Sequence, residues 1–113
     1  MKNLVCEHRA TREFLCPLAL DTLEFRLFTE TCVKDVILHY FKRNTLDFRK
    51  STMTCDLSTC ERKLWESVIA FPEQAHYIKY YFELETESGT RLFLNEIGLS
   101  KDVPSDGFFE FLC

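Results

Sequence analysis

Between Ile78 and Leu84 every second residue is large and apolar: Ile78, Tyr80, Phe82 and Leu84. Lys79, Tyr81 and Glu83 fill the gaps. Side chains of an extended chain alternate between two faces, so this segment is a strand with one dry face and one mostly wet face. The pattern recurs. Thr22 to Phe28 sets Leu23, Phe25 and Leu27 against Thr22, Glu24 and Arg26, and Asp35 to Phe41 aligns Val36, Leu38 and Tyr40. A chain patterned this way folds as stacked sheets, because each half-dry strand needs an apolar layer to cover it.

Further strands are expected at Glu13 to Leu18, Thr52 to Leu57 and Thr90 to Ile97, and around Phe108, Phe109 and Phe111. Thr52 to Leu57 groups Met53, Cys55 and Leu57. Glu87-Ser88-Gly89-Thr90 joins two alternating runs, and Gly89 supplies the positive φ that a tight hairpin demands. Asn44 to Asp47 and Ser105-Asp106-Gly107 read as loops. One segment fits two templates. Ser58-x-x-Glu61 has capping-box form and Leu64/Val68 and Trp65/Ile69 are four apart, as in a helix. The same stretch also alternates through Trp65, Ser67, Ile69 and Phe71. Within a sandwich the strand agrees better with its neighbours. About eight short strands and little helix predict an all-β, antiparallel sandwich of immunoglobulin-like type.

The 113 residues suit one domain, 1–113, with no internal linker. The chain holds 11 Phe and 4 Tyr but only 3 Gly and 3 Pro, which favours well-packed strands. A formal charge of -4 disfavours nucleic acid, whose phosphates call for a basic surface. No apolar run approaches the ~20 residues that span a bilayer, so no membrane partner is expected. The first residues lack a signal-peptide core, and a cytoplasmic location follows as the expectation. In that compartment the 6 cysteines are expected as reduced, small apolar side chains. No C-x-x-C or zinc-finger spacing is present, and neither metal nor cofactor is expected.

Catalytic motifs are missing too. There is no G-x-S-x-G elbow and no phosphate loop. His39 reads as a structural strand residue, and His8 and His76 as surface residues. Glu83 and Glu85 share one strand face and read as a solvated stripe. The aromatic rings that break parity are more informative. Phe41, Tyr77, Tyr81 and Phe93 fall opposite the apolar stripes, Phe48 sits in a loop-like stretch, and Trp65 is the sole Trp. Exposed rings stack on the apolar faces of sugars or fill partner interfaces. The alternative is that both sheet faces are covered and the rings are buried.

Several segments resemble the start of neopullulanase, cyclomaltodextrinase and maltogenic amylase-type enzymes. Glu7-His8-Arg9-Ala10 and Asp21-Thr22-Leu23-Glu24-Phe25-Arg26-Leu27 are similar to that family's "His-Arg-Pro" and "Glu-Thr-Leu-His-Leu-Arg-Leu". Val36-Ile37-Leu38-His39-Tyr40, Leu64-Trp65-Glu66 and Lys79-Tyr80-Tyr81-Phe82 look like its later strands. Asn95-Glu96-Ile97-Gly98, Val103-Pro104 and Phe108-Phe109-Glu110-Phe111 resemble its closing segment. Ala10 stands where the family has proline, Tyr40-Phe41-Lys42 replaces a "Gly-Asp-Pro" turn, and Phe48 stands near a frequent Trp.

The resemblance implies an immunoglobulin-like, family 34 carbohydrate-binding module, excised from a longer α-glucan hydrolase chain. There it precedes a (β/α)₈ barrel of about 250 residues, which carries the retaining two-carboxylate chemistry. It implies no catalytic residue in this chain. Its implied partners are an α-glucan oligosaccharide, the catalytic barrel of its own or a second subunit, and a homodimer mate. Phe41, Phe48, Trp65, Tyr77 and Tyr81 are the expected contact residues. A purely structural interaction module is the competing reading.

Overall fold

The computed structural model describes residues 4–11, 13–19, 22–42, 49–70 and 77–112. Eleven strands run β1 (Cys6–Glu7), β2 (Leu15–Ala19), β3 (Thr22–Glu30), β4 (Val33–Lys42), β5 (Arg49–Thr52), β6 (Thr54–Ser58), β7 (Arg62–Ala70), β8 (Tyr77–Thr86), β9 (Arg91–Leu94), β10 (Leu99–Ser100) and β11 (Phe109–Leu112). Two antiparallel sheets form. The first orders β1-β3-β7-β6 with β2 also on β3, and the second orders β10-β9-β8-β4-β5 with β11 also on β8. The sandwich expected from alternation is therefore the observed architecture.

The inner faces are the predicted apolar stripes. Leu23, Phe25 and Leu27 of β3 face Ile78, Tyr80, Phe82 and Leu84 of β8, joined by Val36 and Leu38 of β4, all buried. Phe25 meets Tyr80 edge-on across the layers, ring centroids 5.1 Å apart. Each such ring contributes about 1.5–3 kcal/mol by leaving water.

The segment with two templates is strand β7. Its nine residues pair with β3 from Thr22↔Ala70 to Glu30↔Arg62, a ladder no isolated helix could match. Trp65, Ser67 and Ile69 point inward along it. The hydroxyl that organises the turn before it is Thr59, which accepts from the Glu61 and Arg62 amides at 3.3 and 3.1 Å.

The run expected over Thr52 to Leu57 is instead broken at Met53, which is buried and donates its amide to the Val36 carbonyl at 2.9 Å. The chain there leaves the second sheet as β5 and joins the first as β6. Cys55 and Leu57 end exposed, so the expected Met53–Cys55–Leu57 stripe does not form. The Gly89 turn forms as expected, with φ 88°. The loop at Asn44 to Asp47 and residue His76 lie outside the described residues.

His8 corrects another expectation. It is half-buried against core rings, not an open surface residue. Its ring lies edge-on to Phe14, Tyr80, Phe82 and Phe109. The Arg26 carbonyl can only accept, so Nδ1–H donates to it at 2.6 Å and bare Nε2 accepts from the Tyr80 hydroxyl at 2.7 Å. Burial pushes the imidazole down from 6.5 to about 4, against the opposing pull of the Arg26 bond.

Candidate functional site: an aromatic surface on one sheet

The outer face of the second sheet carries the rings that broke parity. The β4–β8 register sets His39 opposite Tyr81 and Phe41 opposite Lys79, and the β8–β9 register sets Glu83 opposite Phe93. These residues alternate with the core stripe, so they share the outward side. His39 stacks on Tyr81 at 4.7 Å with 8° between planes. Phe93 and Phe108 tilt against Tyr81 at 6.2 and 6.0 Å. Phe108 meets Phe41 edge-on at 5.3 Å. A continuous patch of four carbocyclic rings and one imidazole results.

Its polar rim is already engaged. His39 Nε2–H donates to Glu83 Oε1 at 2.8 Å, and Arg91 Nε lies 3.2 Å from Glu83 Oε2. Lys79 and Glu110 form a 3.5 Å ion pair at the far side. Burial, then the Glu83 charge, raises the Tyr81 phenol above its ordinary range. Glu83, expected as part of a solvated stripe, is thus tied on both oxygens. The surface offers apolar contact, and Glu83 and Glu110 beside it are each in an ion pair. Among the described residues no group of three or more His, Cys, Asp and Glu side chains could hold a metal ion.

The expected contact residues divide. Phe41 and Tyr81 come together in the patch. Tyr81 is only 9% exposed and Phe93 8%, while Phe41 and Phe108 are half-buried. Trp65 is not on this surface. It is 4% exposed in the core, where Nε1–H donates to the Thr29 hydroxyl at 2.8 Å. Its place in the β3–β7 ladder turns it inward, so its expected contact role is corrected to a packing role. Tyr77 pairs with Leu112 in the backbone ladder, and its side chain lies outside the described residues. Phe48 also lies outside them. Reading from the sequence missed Phe108 and His39 as parts of the patch. The adjacent pair Phe108-Phe109 held the signal for the first, because neighbouring residues near a strand present one ring to each face.

The family model described as "Alpha amylase, N-terminal ig-like domain" matches residues 1–113. The chain belongs to that family. The immunoglobulin-like sandwich expected from the sequence is its fold. No curated protein matches. Among solved structures, a cyclomaltodextrinase superposes with TM-score 0.83 at 18% identity, covering 95% of this chain and 19% of that one. A maltogenic amylase from S. marinus superposes with TM-score 0.67 at 12% identity, covering 95% and 14%. The ig-like domain thus spans less than a fifth of the solved chains it resembles, and the 113 residues contain no catalytic barrel.

Proposed function

We propose that this ig-like domain is the non-catalytic N-terminal module of an α-glucan hydrolase acting on maltodextrins, cyclodextrins or pullulan, and that it works by contact. Its aromatic surface lies against the catalytic barrel of its own or a second subunit, in a homodimer. The observation that carries this reading is the closed ring cluster. His39 already covers a face of Tyr81, and the polar groups at the rim are paired with one another. Rings packed this way present an apolar surface of fixed shape, which suits a protein partner. The reading includes a cytoplasmic setting, supported by the free, exposed thiols of Cys32, Cys55 and Cys60.

A second reading has its own support. Phe41 and Phe108 stay half-exposed at the end of the patch, where a glucan ring could stack, as a carbohydrate-binding module does.

The test compares Phe41→Asp and Phe108→Asp in the full-length enzyme by analytical ultracentrifugation and limited proteolysis. Loss of the dimer, or release of the module from the catalytic domain, supports the protein-contact reading. Unchanged assembly in both variants removes it. NMR titration with β-cyclodextrin then tests the second reading through localised shifts at Phe41 and Phe108.

A further inference from the structure

Cys6 and Cys32, both free thiols, converge on one end of the sandwich. Cys6 lies in β1, directly opposite Thr29 of β3. Cross-strand partners share a face, and Thr29 is buried, so the Cys6 side chain points into the sandwich. It packs there against the core cluster. β3 ends at Glu30 and β4 begins at Val33 in the other sheet, so Thr31 and Cys32 form a short arch between the layers. The Glu30 amide donates to the Val5 carbonyl at 3.2 Å, which brings β1 up to the foot of that arch.

Glu30 lies beside both thiols. Cys32 Sγ–H donates to its Oε2 at 4.0 Å. Burial, then the charges of Glu30 and Cys32, push the Cys6 thiol up to about 12. A disulfide holds its Cα atoms ~4.4–6.8 Å apart. A short edge strand and a short arch carry few backbone bonds and adjust to that span more readily than central strands do.

The two thiols differ in access. Cys32 is exposed and lines a groove of about 850 Å³. That volume lies within the ~300–1,000 Å³ usual for small-molecule sites, so a low-molecular-weight disulfide reaches Cys32. Glu30 and Glu87 on the groove wall suit an ammonium and Lys101 suits a carboxylate, groups that glutathione carries. Cys6 is covered and keeps its proton, so it reacts second.

We infer that Cys6 and Cys32 form a redox-active dithiol site, which glutathione disulfide oxidises to an intramolecular disulfide. The Cys32 thiolate attacks one sulfur of the oxidant. The S–S bond of glutathione disulfide breaks, and one glutathione leaves with the electron pair and takes up a proton. Cys6 then gives up its proton and attacks Cys32 Sγ in the mixed disulfide, and the second glutathione leaves in the same way. The two protein thiols lose two electrons and two protons, and one glutathione disulfide becomes two glutathione molecules. The new bond staples β1 to the arch between the sheets. An excess of reduced glutathione reverses both steps, so a reducing compartment leaves the pair open.

The test incubates the 113-residue chain with glutathione disulfide, blocks the remaining thiols with iodoacetamide and maps tryptic peptides by mass spectrometry. The expected product links peptide 3–9, which carries Cys6, to peptide 27–34, which carries Cys32. In Cys6→Ala, glutathione is expected to stay on Cys32. In Cys32→Ser, an exposed substitution that keeps the fold, Cys6 is expected to stay free. The oxidised parent is expected to melt about 5–10 °C above the reduced one, because the closed loop lowers the entropy of the unfolded chain. Dithiothreitol is expected to reverse that rise, and Cys32→Ser to lack it. A parent that keeps glutathione on Cys32 without the 6–32 link, or a dominant link through any other cysteine, would overturn the site. So would equal oxidation of Cys6 in Cys32→Ser.

Discussion

Tyr80 gives its phenolic proton to His8 Nε2 across 2.7 Å, joining the chain's first described residues to the central strand of the opposite sheet. The bond works only with a neutral imidazole whose Nδ1 carries the hydrogen. The Arg26 carbonyl enforces that tautomer from the other side of the ring. Tyr80→Phe keeps the packing and leaves Nε2 without a donor. It is expected to lower unfolding free energy by about 1–3 kcal/mol in chemical denaturation. An unchanged midpoint would mean that water takes the place of the hydroxyl.

The same ring makes stability depend on pH. The folded pKa of His8 lies near 4, below its ordinary 6.5, so the unfolded chain binds the proton more tightly. This contribution is complete above pH 6.5 and is lost as pH falls toward 4. Urea denaturation across that window is expected to show stability rising with pH. The slope is expected to be smaller in His8→Gln, which does not titrate.

Glu66 works in the opposite direction. Its hydrogen bond to Asp56, then desolvation and the charges of Asp56 and Glu24, push it from 4.5 to about 7, although Arg26 draws it down. Arg26 itself is held by Glu24. Here the folded state binds the proton more tightly. The stabilising contribution is complete below pH 4.5 and fades as pH rises through 7. Glu66→Gln keeps a hydrogen-bonding amide beside Asp56. It is expected to remove the decline between pH 4.5 and 7, leaving the His8 slope exposed. Matching pH profiles of Glu66→Gln and the parent would count against the shared proton.

Trp65 supplies a packing test. Trp65→Phe fills much of the same space but removes the donor to Thr29. The Thr29 hydroxyl still donates to the Glu30 carbonyl at 3.0 Å, so it is not stranded. A cost of about 1–2 kcal/mol is expected, against about 3–5 kcal/mol for Trp65→Ala, which opens a cavity. Because this is the sole Trp, parent fluorescence is expected to be blue-shifted and to move red in one step on unfolding.

Alternation alone made most of the fold legible, because a half-buried sheet writes its period into the chain. Leu23, Phe25 and Leu27, and Ile78 to Leu84, lie where period two put them. What stayed hidden depends on distant partners. Met53 lies between two strands of different sheets because the core takes its side chain and the Val36 carbonyl takes its amide, and nothing local marks that switch. His8 turns toward the core because Tyr80, 72 positions away, supplies its partner. Trp65 shares a parity with two possible faces, and only the β3 ladder decides which is inside. In the aromatic surface, Phe41 and Tyr81 were visible as parity breakers. His39 joined through its stack on Tyr81, which sequence spacing does not encode.

Gly107 links backbone conformation to that surface. Its φ is 66°, a left-handed conformation that costs other residues about 1–2 kcal/mol. An added Cβ would also meet Ile97 Cδ1 at 2.6 Å, the tip of an exposed side chain that can swing aside. Its carbonyl accepts from the Glu96 amide at 2.9 Å, and Asn95 Nδ2 donates to the neighbouring Asp106 carbonyl at 3.1 Å. These bonds set the chain direction immediately before Phe108. Both glycines hold a positive φ, but an added Cβ at Gly89 meets nothing within 4 Å while one at Gly107 also crowds Ile97 Cγ1 at 2.9 Å and Asn95 Nδ2 at 3.2 Å, so Gly107→Ala is expected to cost more stability than Gly89→Ala in thermal melts. Only Gly107→Ala is expected to shift the ring resonances of Phe108, Phe41 and Tyr81, because Phe108 touches both of those rings. If Gly89→Ala disturbed the same resonances equally, the effect would be global loosening, and the loop would have no special part in seating the patch.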